Sequence, residues 1–195
     1  MKWNVSARHF RHNKVFSSEE GMKIFLILMA FSVFIPQGVF ATEGVCIEGD
    51  CSNGKGVYVW EDGGRYSGYW KNGNRDGQGE MVSADEELYT GTWKSGKRHG
   101  YGSQLNLEDE KYEGNWKDNR RSGTGTMTYL NGEVFKGEWK DDKWHGKGQY
   151  IFPDGVRFSG NWLNNIKHGP GKREYPDGKV EIVEYRKGVL IEKYE

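Results

Sequence analysis

A chain of 195 residues with 28 basic and 28 acidic side chains carries no net charge, so bulk electrostatics single out no partner. Its 29 glycines sit beside eight tryptophans and eleven tyrosines in a chain that is only 35% hydrophobic. That mixture argues against a thick globular core, and the supply of buriable rings argues against disorder; it suits a single-layer sheet coated by its own aromatic side chains.

Residues 1–41 read as a targeting segment. Ile24 to Ile35 is an apolar run interrupted only by Ser32, too short for a membrane span of about 20 residues and of the length of a signal-peptide core. Lys23 precedes it, Pro36 ends it, and Val39-Phe40-Ala41 supplies small residues for cleavage after Ala41. Met22-Lys23 reads as an alternative start. The rival reading is an uncleaved anchor through residues 24–41, with Arg8, Arg11, Lys14 and Lys23 on the cytoplasmic side. A lipoprotein is disfavoured, because Glu43-Gly44-Val45 ahead of Cys46 is no lipobox. The expected location is therefore outside the cytoplasm, periplasmic or secreted.

Residues 42–65 read as a half-unit cap, since Gly54 and Gly56 stand 23 residues before Gly77 and Gly79. Cys46 and Cys51, the only cysteines, fall on either side of the cap's turn. Behind an export signal, a disulfide closing this small loop is the natural expectation, worth roughly 2 kcal/mol in the chain-entropy model. Free thiols and half a metal site are the rivals.

From residue 66 to 180 one pattern occurs five times at a 23-residue interval. Its first half is Tyr66-x-Gly68-x-Trp70, then Tyr89/Gly91/Trp93, Tyr112/Gly114/Trp116, Phe135/Gly137/Trp139 and Phe158/Gly160/Trp162. Its second half is a Gly-x-Gly pair: Gly77/Gly79, Gly100/Gly102, Gly123/Gly125, Gly146/Gly148 and Gly169/Gly171. A fixed short period means stacked copies of one supersecondary unit. Side chains alternate along a strand, so the ring, glycine and tryptophan share one face, and both glycines of a pair share one face of the next strand. Those glycines are expected to leave room for rings lying flat on the neighbouring backbone, and a side chain at Gly100 or Gly146 should disrupt the stack. Lys71-Asn72-Gly73-Asn74 reads as the turn within a unit. Asp62-Gly63, Asn131-Gly132, Asp154-Gly155 and Asp177-Gly178 read as turns between units. Ala84-Asp85-Glu86-Glu87 and Glu108-Asp109-Glu110-Lys111 lack that pair and are expected to be reshaped loops. Residues 181–195 read as cap strands, with Glu181, Val183 and Tyr185 in the ring, glycine and tryptophan positions.

The consensus resembles the MORN repeat family. The resemblance covers roughly residues 43–192 and implies an all-β fold, an elongated single-layer antiparallel sheet of stacked hairpins of about a dozen strands. It also implies a role in interaction rather than catalysis, and the family's name suggests a membrane surface.

Candidate chemistry is sparse. His99, His145 and His168 share one repeat phase, but adjacent repeats lie about 10 Å apart, too far for two of them to share a metal ion. The Gly-x-Gly pairs lead into no helix and no Gly-Lys-Ser/Thr, unlike phosphate loops. No catalytic, cofactor or metal site is expected. Charge does partition: Lys71, Lys94, Lys117 and Lys140, then Lys97, Arg120 and Lys143, then Arg75, Arg98, Arg121 and Lys167 gather at the turn edge, whereas acidic residues gather between units. The bland reading is a pair of solvated edges. The functional one is a basic rail, built from Lys71, Lys94, Lys97, Arg98, Lys117, Arg120, Arg121, Lys140 and Lys143, for anionic lipid, polysaccharide or an acidic protein. Nucleic acid is not expected of an exported chain. The leading expectation is a non-enzymatic scaffold binding a protein through its aromatic face or edges; the alternative is an adaptor for anionic phospholipid headgroups. Trp144 and Tyr101, out of phase with the core rings, are the best candidates for exposed contacts, with a packed edge ring as the alternative reading of either. Open sheet edges favour dimerisation, whereas the caps and disulfide favour a monomer.

Overall fold

Ring-bearing and glycine-bearing strands of this length cannot bury a face alone and must stack on their neighbours. The computed structural model describes residues 44–194, all within the unit Ala41–Glu195; the signal or anchor expected over residues 1–41 lies outside them. The described residues form one open antiparallel sheet of 14 strands in sequence order. The first hairpin is β1 (Gly44–Gly49) with β2 (Lys55–Trp60). Then come β3 (Arg65–Lys71) with β4 (Asn74–Val82), and β5 (Leu88–Lys94) with β6 (Lys97–Leu105). Next are β7 (Lys111–Lys117) with β8 (Arg120–Thr128), and β9 (Val134–Lys140) with β10 (Lys143–Ile151). The last are β11 (Arg157–Leu163) with β12 (Ile166–Glu174), and β13 (Val180–Arg186) with β14 (Val189–Tyr194). At ~4.8 Å per strand the ribbon is about 60 Å long.

The caps at both ends of the sheet are hairpins too. Pairing needs backbone groups rather than consensus side chains, so Gly44–Gly49 and Val189–Tyr194 pair although neither carries the ring-x-Gly-x-Trp or Gly-x-Gly pattern. In every hairpin but the first, whose strands are joined by residues 50–54, the strands are joined by two residues, both at positive φ: Asn72-Gly73 (48°, 71°), Ser95-Gly96 (47°, 80°), Asp118-Asn119 (48°, 71°), Asp141-Asp142 (49°, 66°), Asn164-Asn165 (51°, 70°) and Lys187-Gly188 (50°, 82°). These are type I′ turns, whose twist matches that of the strands, and they explain the Asn, Asp and Gly at their tips.

The two glycines of each Gly-x-Gly pair differ in role, which corrects the sequence expectation. Between the pairs Gly68↔Gly79 and Trp70↔Arg75, β3 contributes one residue and β4 three, so the unit carries a bulge. The first glycine sits in that bulge at positive φ: Gly77 at 103°, Gly100 at 65°, Gly123 at 78°, Gly146 at 65° and Gly169 at 72°. It is glycine because of backbone conformation. Space for a ring is instead left by the second glycine together with the glycine of the ring-bearing strand. Gly114 faces Gly125, Gly137 faces Gly148 and Gly160 faces Gly171 within their units. Register between units continues the row, Gly125 facing Gly137 and Gly148 facing Gly160. One glycine per strand therefore runs across the sheet from Gly49 to Gly171 and ends against Val183.

The connections that lack an Asp-Gly or Asn-Gly pair are not reshaped either. Ser83 N–H donates to Glu87 O (2.9 Å) and Glu86 N–H to Ser83 O (2.9 Å), as Tyr129, Glu133 and Gly132 do in the Asn131-Gly132 loop. The loop register is imposed by the strands, and Glu86 and Asp109 are forced to φ 65° and 59° where other units place glycine. A glutamate gains nothing from the left-handed region. Glu86→Gly should therefore stabilise the fold by about 1 kcal/mol, raising the melting temperature by about 3 °C; an unchanged or lowered value would show that the loop holds Glu86 without strain.

Candidate functional site

Rings and glycines build the site from one repeated contact. Tyr66 lies over the opposed Gly68 and Gly79 and is fully buried. A Cβ on Gly79 would collide with the Tyr66 ring and hydroxyl, and one on Gly102 with those of Tyr89. The later units repeat the obstruction. A Cβ on Gly114 or Gly125 would meet Tyr112, one on Gly137 or Gly148 would meet Phe135, and one on Gly160 or Gly171 would meet Phe158. The buried hydroxyls still find partners: Tyr66 Oη donates to Tyr69 O (3.0 Å), Tyr89 Oη to Thr92 O (3.1 Å) and Tyr112 Oη to Asn115 O (3.0 Å). Burial pushes Tyr66 and Tyr89 up to about 12 and raises Tyr112 further. Each indole reaches back one unit, Trp93 Nε1 donating to Gly79 O (3.3 Å) and Trp116 Nε1 to Gly102 O (3.3 Å). Tyr66 meets Trp70 and Trp93 edge-on at 5.0 and 5.5 Å, wedged between the tryptophans of two units. The pattern runs to Phe158 against Tyr185 at 5.4 Å.

A second layer covers the rings, and it corrects the basic rail. Arg75, Arg98 and Arg121 fold over the ring face with their guanidinium carbons 4.3, 4.3 and 4.7 Å from the centroids of Trp93, Trp116 and Trp139. Arg98 and Arg121 are therefore not turn-edge side chains. Cation–π contact on a desolvated tryptophan outweighs solvation at the edge. Arg75 Nη2 donates to Gly96 O (2.8 Å) and Arg98 Nη2 to Asn119 O (3.1 Å). Arg121 pairs with Asp142 at 3.2 Å; among the described residues Arg75 and Arg98 have no ion-pair partner. Burial lowers the pKa of both. Between them lies a groove of about 240 Å³ lined by Met81, Leu88, Tyr89, Trp93, Gln104 and Glu87.

Trp144 occupies the same phase in the fourth unit and is a packed residue rather than an exposed contact. It stacks on Phe135 at 4.4 Å and 11°, and meets Trp162 at 5.0 Å. Tyr150 and Tyr129 adjoin it at 5.4 and 6.4 Å. Lys167 follows in the fifth unit, 4.6 Å from the Phe158 centroid. Tyr101, on the opposite face, is 63% exposed. The signal for this layer was present in the sequence: Trp144 shares the phase of the third basic series, and an indole can replace an arginine only where both pack on rings.

At the turn edge the register sets Lys94 opposite Lys97, Lys117 opposite Arg120 and Lys140 opposite Lys143. Arg120 meets Asp141 at 3.4 Å, both well exposed. The acidic and amide tips hold units together. Asn119 Oδ1 and Asp142 Oδ1 accept from the N–H of Arg98 and Arg121, hooking each turn onto the one before. His99 lies beside a second depression of about 500 Å³ with Lys71, Asp76 and Lys94, its Nδ1 3.8 Å from Asp118. His145 and His168 repeat its place in the sequence of later units, and no cluster of three metal-ligating side chains occurs among the described residues.

Both ends carry a device. Cys46 and Cys51 form a disulfide across the first turn. At the other end Glu181 takes the ring position and is buried, its carboxylate receiving Lys193 Nζ (2.7 Å), Lys179 Nζ (3.2 Å) and Tyr175 Oη (2.8 Å).

The geometry defines a ribbon of stacked β-hairpins keyed by rings on glycine. The MORN repeat model matches residues 52–65, 66–86, 89–105, 112–134, 135–157 and 158–180, more than half of the chain. The chain belongs to the MORN repeat family. No curated protein matches it. Among solved structures it is similar to the TCP domain of SAS-4 (dCPAP) of Drosophila melanogaster, in complex with a proline-rich motif of Ana2 (dSTIL), at 10% identity over 78% of this chain and 86% of that one, TM-score 0.49. It is also similar to the wild-type TCP10 domain of Danio rerio CPAP, at 14% identity over 73% and 68%, TM-score 0.45.

The Lys193 ammonium, joined by Tyr175 and Lys179, holds Glu181 at about 2, well below the ordinary 4.5 and against the cost of burial. Its folded value is depressed, so its contribution to stability is present above 4.5 and lost as pH falls through about 2. Thermal unfolding of the native chain and of Glu181→Gln should converge over that window; a constant gap between them would show that the carboxylate charge stabilises nothing.

Proposed function

We propose that the chain is a non-enzymatic, exported scaffold that holds a protein partner along its ring face. The observation that carries this reading is the groove between Arg75 and Arg98, where two half-buried cations border Met81, Leu88 and Trp93 on a rigid sheet. A few polar groups in an apolar groove on a fixed backbone is the form of a recognition site. Membership of a repeat family supports the scaffold, since stacked repeats present long surfaces that grow one unit at a time. The Cys46–Cys51 disulfide supports export, because such bonds persist in oxidising compartments. Cleavage after Ala41 would leave the ribbon free; an anchor through residues 24–41 would hold it at a membrane.

A second reading, an adaptor for anionic phospholipid headgroups, is favoured by one feature. Lys94/Lys97 and Lys140/Lys143 are like charges held directly opposite one another at exposed turn tips, an arrangement that costs stability unless an anion meets it.

A photo-crosslinking residue at Gln104, which lines the groove, should capture a partner in the native host, and one at Glu113 on the opposite face should not. Capture from Glu113 alone would overturn the ring-face scaffold. Sedimentation with phosphatidylserine vesicles at low salt, abolished by high salt and by Lys94→Gln with Lys97→Gln, would favour the adaptor instead.

A further inference from the structure

We infer that the ring-face groove takes an acidic peptide segment in the polyproline II conformation, running along the ribbon across the strands and setting acidic side chains three residues apart on Arg75 and Arg98. The inference rests on the scaffold reading above and names the chemistry of its partner.

Spacing is the first argument. Equivalent positions in adjacent units are two strands apart, about 9.6 Å. A polyproline II helix has three residues per turn and a 3.1 Å rise, so it presents the same face every ~9.3 Å. The two periods differ by about 0.3 Å per unit, small enough to stay in step over three or four units. An extended β-segment covers a similar length in three residues, but its alternation turns the third side chain to the opposite face. A ligand of three-residue period is therefore the peptide form that meets every repeat alike.

Charge is the second. Arg75 and Arg98 are each positioned by a turn carbonyl, that of Gly96 and of Asn119, and each lacks an ion-pair partner among the described residues. Against them the groove itself holds one carboxylate, Glu87, whose Oε2 accepts from Gln104 Nε2 at 3.3 Å. Glu87 and Asp142 act on Arg98 at longer range, but a guanidinium that is half-buried, held in place and without an ion pair is arranged to receive a carboxylate through its free N–H groups.

The next two units complete a code. Arg121 is already neutralised by Asp142, so the third step demands no acid. In the fourth, Trp144 with Tyr150 and Tyr129 offers half-buried rings where a cation would otherwise stand. Aromatic surfaces receive proline, which also presets the ligand conformation. The partner segment thus reads acid, acid, neutral and proline at three-residue steps, in one chain direction or the other.

The test uses the full oxidised chain and two dye-labelled peptides of equal composition. One reads Glu-Pro-Pro-Glu-Pro-Pro-Ala-Pro-Pro-Pro-Pro-Pro; the other has the same residues with its two glutamates adjacent, Glu-Glu-Pro-Pro-Pro-Pro-Ala-Pro-Pro-Pro-Pro-Pro. Fluorescence anisotropy should show the periodic peptide binding about tenfold more tightly. Arg75→Gln and Arg98→Gln should each weaken it about tenfold, and Arg75→Lys, which keeps the charge and the cation–π contact but loses the fork, should weaken it too. Lys94→Gln and Lys117→Gln at the turn edge should leave it unchanged. Equal binding of the two peptides, an equal loss from the turn-edge variants, or no binding of either would overturn the inference. So would phosphatidylserine vesicles that bind through Arg75 and Arg98. Failure here with crosslinking retained at Gln104 leaves the scaffold standing with another partner; failure of both removes the ring face altogether.

Discussion

An aromatic ring lies flat on a β-sheet only where the strands beneath it carry no side chain. In this ribbon Gly68 faces Gly79 under Tyr66, and Gly91 faces Gly102 under Tyr89. Glycine in a strand weakens it, and here the loss is offset by a ring buried to within a few per cent of completely. From that contact the remaining order follows. The ring fixes two tryptophans edge-on, the later indole donates to the second glycine's carbonyl, and an arginine closes over the tryptophan of the next unit. Each of these links joins neighbouring units, so cohesion passes along the ribbon rather than into a central core.

Such a chain is quasi-one-dimensional, and its ends are the places where cohesion fails first. Among the described residues the N-terminal hairpin has a neighbour on one side only, and it is held by the Cys46–Cys51 disulfide. The C-terminal unit replaces ring, glycine and tryptophan with Glu181, Val183 and Tyr185, all buried. Glu181 remains tolerable there because three donors surround it, and a buried charge so paired keeps the last strands in register. The final strand β14 is exposed throughout.

Much of this was legible in the chain. The 23-residue period, the alternation of Tyr66, Gly68 and Trp70, and the paired glycines by themselves imply stacked antiparallel hairpins. The bulge was not legible, because Gly77 and Gly79 look equivalent in sequence, and only the pairing of Trp70 with Arg75 separates a glycine needed for φ from one needed for space. The loops at Ser83–Glu87 and Asn106–Glu110 keep the common shape for a related reason that the sequence hides: local preference for glycine at positive φ yields to strand register when the two compete. Charge folded onto the repeat puts Arg98 and Arg121 at the edge, because the period alone does not say which way each strand turns its side chain. Trp144, in the same phase, already carried the answer.

The central claim is that the ring and the glycine beneath it form one coupled contact. It is tested most directly by a double-mutant cycle on Tyr89 and Gly102, followed by equilibrium unfolding. Gly102→Ala should cost about 3 kcal/mol in the native chain, because its Cβ meets the Tyr89 ring, and under about 1 kcal/mol once Tyr89→Leu has removed that ring. The same cost in both backgrounds would mean that glycine is required there by the backbone alone, and the account of the ribbon would fail at its base.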